Sequence, residues 1–79
     1  MTKDEREAAE KAVRDLTEVV ERLHRAHEDC KALTLDHGWD LAYDDIAEVG
    51  MRVGRIALGI VDSIAEEDKW NVYWSKKDV

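Results

Sequence analysis

Val49-Gly50-Met51-Arg52-Val53-Gly54-Arg55-Ile56-Ala57-Leu58-Gly59-Ile60-Val61 is the stretch on which the fold turns. Eleven of its 13 residues are apolar or glycine, and only Arg52 and Arg55 are polar. It is too short and too charged for a membrane span, which needs about 20 mostly apolar residues. A helix that is greasy most of the way round is buried on more than one side. Stepping outward by threes and fours, the core positions read as Ala42, Ile46, Val49, Val53, Ile56 or Ala57, Ile60 and Ile64. That periodicity predicts a second helix over about 40–67, starting near Trp39 or Leu41. Gly50, Gly54 and Gly59 each cost up to about 1 kcal/mol in a helix interior. A break near Gly50, giving three helices, is the alternative to a continuous or bent one.

Upstream, apolar or small residues recur at Ala9, Ala12/Val13, Leu16, Val19/Val20, Leu23, Ala26/His27, Cys30 and Leu33. The alternating steps of three and four are those of an amphipathic helix, expected over about 3–33. Thr2-Lys3-Asp4-Glu5 fits a capping box at its start. The turn is expected at 34–38, Thr34-Leu35-Asp36-His37-Gly38, with Gly38 the first glycine of the chain. The expected fold is therefore one small all-α domain over 1–79, an antiparallel helical hairpin with an aromatic tail at 70–74. The hairpin returns Trp70, Tyr73 and Trp74 to the start of helix 1, where Ala8, Ala9 and Ala12 are small. A lid of large on small residues is expected there, with a partner anchor as the other reading of these aromatics.

A lone hairpin of this length buries little. Two hairpins joined by a twofold axis into a four-helix bundle would cover the second helix. Val49, Gly50, Val53, Gly54, Ala57 and Ile60 are the expected oligomer interface, with Gly50, Gly54 and Ala57 forming a shallow groove. The same groove could instead receive a foreign helix.

The 79 residues carry 19 acids, 12 bases and a formal net charge of -7. That balance argues against direct nucleic-acid binding, which runs on basic side chains, and against an anionic membrane surface. Cys30 is the single cysteine, so no internal disulfide forms. A reducing, cytoplasmic setting is expected, and the charged start at Met1-Thr2-Lys3-Asp4-Glu5 does not read as a signal peptide. Between Glu28 and Glu48, seven acids stand against one base, Lys31, which places -6 of the -7 at the hairpin end. Asp40, Asp44 and Glu48 are four apart and are expected to share a helix face, spaced by about 6 Å. Such a stripe can imitate a run of phosphates. The blander reading, and the one to be displaced, is a merely solubilising end beside a helix N-terminus, where the dipole welcomes acids.

Two constellations have the spacing of metal or catalytic chemistry without completing a site. His24, His27 and Cys30 step by three, and Glu21-x-x-His24 has the spacing used in di-iron bundles. Helix 2, however, has no histidine to complete a site, so no metal is expected. Glu18-x-x-Glu21 and Asp45-x-x-Glu48 resemble the paired carboxylates of all-α nucleotide pyrophosphohydrolases, and that resemblance implies magnesium held between helices. Glu18 and Glu21 fall on the outer face in this register, where they cannot converge on a metal. No enzyme and no cofactor is expected.

The expectation is a small acidic interaction protein, dimeric, that blocks or modulates a partner protein. Asp36, Asp40, Asp44, Asp45 and Glu48 would meet that partner's basic surface. By analogy of size and charge alone, one such role is a phage-type inhibitor that mimics nucleic acid, as anti-CRISPR proteins do. The runners-up are a helix-groove adaptor or structural homo-oligomer on the Gly50/Gly54 face, and, last, a metal- or nucleotide-handling enzyme.

Overall fold

The computed structural model describes residues 1–77, and side chains over 1–72. Two helices make the whole fold: α1, Lys3–His37, and α2, Tyr43–Lys77, each of 35 residues. They lie side by side as a hairpin, and among the described residues there is no strand. The molecule measures 66 × 20 × 13 Å. Its narrowest dimension is about that of a single helix with its side chains, so the hairpin is one layer thick.

Thr2 caps α1. Its Oγ1 accepts from the Glu5 amide at 3.1 Å and its hydroxyl faces Glu5 Oε1 at 3.2 Å. The box is thus closed through the threonine hydroxyl. Nothing breaks the helix until Gly38, which takes the left-handed conformation at φ 72°. There the Gly38 amide donates to the Thr34 carbonyl at 3.2 Å and the Trp39 amide to the Leu33 carbonyl at 3.3 Å. The connection is consequently 38–42, later than the expected 34–38, and α1 runs four residues past 33. The glycine ends the helix, and Thr34 to His37 stay within it. Likewise α2 starts at Tyr43 and passes unbroken through Gly50, Gly54 and Gly59. It continues beyond 67 through the backbone of the aromatic tail, because no proline stops it.

The facing stripes are legible in the exposure pattern. On α1 the expected stripe is half buried, with Val20 rather than Val19 turned inward, and Arg6 and Thr34, not expected there, join it. On α2 the half-buried line is Ile46, Gly50, Val53, Ala57, Ile60 and Ile64, with Gly54 beside it. Ala42, Val49 and Ile56, expected in the core, are exposed. The inward line keeps to Ile46 and its three-and-four successors, which rotates Val49 and Ile56 onto a flank. No described side chain is fully buried. Met51, Ile56 and Leu58 are about three-fifths exposed, at 62%, 58% and 63%.

Candidate functional site

The acidic end is built by the turn. Asp36 sits in the last turn of α1, Asp40 in the connection, Asp44 and Asp45 in the first turn of α2, and Glu48 one turn on. All five are exposed. Because α2 starts at Tyr43, Asp40 precedes the helix and leaves the expected Asp40–Asp44–Glu48 face. Asp44 and Glu48 alone keep the one-turn spacing. Glu48 is drawn toward Arg52, whose guanidinium donates to it at 2.6 Å. The dipole of α2 favours Asp44 and Asp45 at its N-terminus, whereas the dipole of α1 disfavours Asp36 at its C-terminus. Helix-end electrostatics therefore explain only part of the cluster.

The six residues expected at an oligomer interface divide. Gly50, Val53, Ala57 and Ile60 lie on the line facing α1, Gly54 lies at its edge, and Val49 is exposed. The glycines do not bring the two helices into contact: a Cβ placed on Gly50, Gly54 or Gly59 would meet nothing within 4 Å. Beside Gly50 runs a groove of about 380 Å³ between Val20, Leu23 and His27 of α1 and Ile46, Ala47 and Met51 of α2. Along the middle of α2 the outward apolar surface is instead Met51, Leu58 and Val61 on one flank and Val49 with Ile56 on the other, and Leu35 and Trp39 are exposed at the turn. Composition could not separate the exposed Val49, Met51, Ile56, Leu58 and Val61 from the inward line, since they are as apolar as the residues on it.

At the open end, Arg6 donates through Nη1 and Nη2 to the two carboxylate oxygens of Asp68, the second contact at 2.9 Å, and through Nε to Glu10 at 3.1 Å. The Met1 ammonium lies 3.1 Å from Glu67. Hydrogen bonding from Arg6 holds the Asp68 carboxyl below its usual range, and Asp68 in turn raises the Arg6 guanidinium. This clamp links residues 62 apart, a separation at which sequence patterns carry no signal. Trp70 is half exposed, at 50%, beside Met1 and Glu5, and its indole N–H donates to Glu66 at 3.0 Å. It does not close a core. The side chains of Tyr73 and Trp74 lie outside the described residues.

His27 packs edge-on to Tyr43 with ring centroids 5.4 Å apart, and Cys30 is half buried next along the stripe. His24, Glu18, Glu21, Asp45 and Glu48 are exposed. Among the described residues no group of three or more His, Cys, Asp or Glu is placed to hold a metal ion. None of the described helices is long and apolar enough to cross a membrane. Compared with known protein families, with curated proteins and with solved structures, the chain gives no match.

Proposed function

We propose that the chain is a non-enzymatic interaction protein that reaches its working form by covering its exposed apolar flank and engages a basic partner protein through its acidic end. One observation carries the reading: a 35-residue helix leaves Met51 and Leu58 of one flank largely in water, with Val61 beside them, while no described side chain is buried. Soluble monomers seldom tolerate such a surface. The acids at the other functional end are well suited to steering. Opposite charge on a partner would speed encounter and select it more than it would add affinity. A charge-mimicking inhibitor of a nucleic-acid-binding protein is one form of this role.

The test is capture of a partner from a native extract by wild type and by a chain carrying Asp36→Asn, Asp40→Asn and Asp45→Asn. The reading requires a partner that the wild type retains, that salt elutes, and that the triple variant loses at unchanged helicity. A partner held equally by both removes the acidic end from the mechanism. A second reading, a helix-groove adaptor, has support in the open space at Gly50 and the groove beside it. Gly50→Leu would fill that groove and release an adaptor's partner, while leaving an acid-dependent partner bound.

A further inference from the structure

Resting on the reading of an exposed flank that must be covered, we propose that its occupant is a second copy of this chain, packed antiparallel about a twofold axis near residue 56. The seam is Ala47, Met51, Gly54, Leu58, Val61 and Ala65. These residues step by four and three without interruption along α2, immediately beside the line that faces α1. Gly54 is half buried and the other five are exposed. The opposite flank, Val49, Arg52, Ile56, Gly59, Ser63 and Glu66, is interrupted by charge and is the poorer seam.

Area decides how much must be covered. A compact monomer of 9.1 kDa exposes about 4,900 Å² by the scaling of surface with mass. This chain exposes 6394 Å², roughly 1,500 Å² more than that scaling gives. A partner with a standard interface removes only about 800 Å² per side. A second copy docked along this seam with such an interface would remove about half of that excess from each chain.

The stripe is also its own complement when run backwards. About a twofold axis at residue 56, Gly54 meets the partner's Leu58, Met51 meets the partner's Val61, and Ala47 meets the partner's Ala65. The leucine enters the notch where Gly54 has open space for a side chain. Ala47 and Met51 also border the groove beside Gly50, so the same docking covers its α2 edge. Asp44 and Lys69, both exposed, share the outer edge of the stripe and are brought level with each other across the axis. A parallel pairing would set Asp44 against Asp44 and join the two acidic ends. The antiparallel one parts those ends by far more than the Debye length of about 8 Å at physiological salt.

Sedimentation or light scattering should give twice the chain mass of 9.1 kDa. Leu58→Gln should weaken self-association on the order of a hundredfold, since each dimer loses two buried leucines. Orientation is read separately, so that a variant that fails to fold decides nothing alone. On a Cys30→Ala background, chains with Ala47→Cys and with Ala65→Cys are made apart and bridged with a short bis-maleimide. Cross-linking in the mixture, and little in either chain by itself, is expected. A folded particle of single mass whose melting is independent of concentration would overturn the dimer, as would a larger assembly. Self-linking of the Ala47→Cys chain would overturn the orientation. A single-mass chain that still captures an acid-dependent partner sinks the dimer and spares the interaction reading; a dimer with no such partner does the reverse.

Discussion

Arg6 and Asp68, at opposite ends of the chain, form a two-pronged guanidinium–carboxylate pair that fastens the open end of the hairpin. The partner that profits is the depressed Asp68 carboxyl. Its contribution to stability is present in full above the ordinary Asp pKa of about 4 and is lost as pH falls through the lower folded value. Melting curves of wild type and Asp68→Asn should therefore differ at neutral pH and converge in acid. A gap that widened on acidification would contradict this. The pair is exposed, so the effect is small and salt-sensitive.

Two kinds of glycine should respond in opposite directions. At Gly50 and Gly59 an added methyl meets nothing within 4 Å in ordinary helical backbone, and each change to alanine should stabilise by up to about 1 kcal/mol. At Gly38 the positive φ makes Gly38→Ala cost about 1–2 kcal/mol despite the open space. Urea melts at fixed protein concentration separate the two.

The start of α2 is the weaker helix end. Thr2 caps α1, but the equivalent place before Tyr43 is Ala42, whose carbonyl accepts from the Asp45 amide at 3.1 Å and which has no side-chain oxygen to offer the remaining free amides. Ala42→Ser should stabilise by roughly 1 kcal/mol, and Thr2→Ala should cost about the same. Equal neutrality at both sites in thermal melts would show that the helix ends are not limiting.

Within the acidic end, Asp36 and Asp44 should behave oppositely. Asp36→Asn relieves a carboxylate at the C-terminus of α1 and should stabilise by about 0.3–1 kcal/mol; Asp44→Asn removes one from the N-terminus of α2 and should cost a similar amount. If Asp36→Asn stabilises yet weakens partner capture, that acid is kept for the partner. If capture is indifferent to it, charge at this position serves solubility.

The hairpin itself was legible because Leu16, Leu23, Ile46, Val53 and Ile60 repeat at helical spacing and Gly38 interrupts it. The ends were not. Thr34 through His37 carry no breaker, so the turn is set by the first residue able to adopt a left-handed backbone. The inward line of α2 was only half legible, because Val49, Met51, Ile56 and Leu58 are as apolar as the residues facing α1 and composition cannot orient a helix that is greasy all round. The acids of 36–48 were correctly placed at one end. Their shared face was lost when α2 began three residues beyond Asp40.

A body one helix thick has no inside. None of the described side chains of this hairpin is fully closed off from water, and only neighbours can shelter them. The lifetime of such a chain in a cell would then follow its own copy number: dilute, it is cleared; abundant, it persists. Its dose, set by how fast it is made, would act as a switch without any ligand or modification.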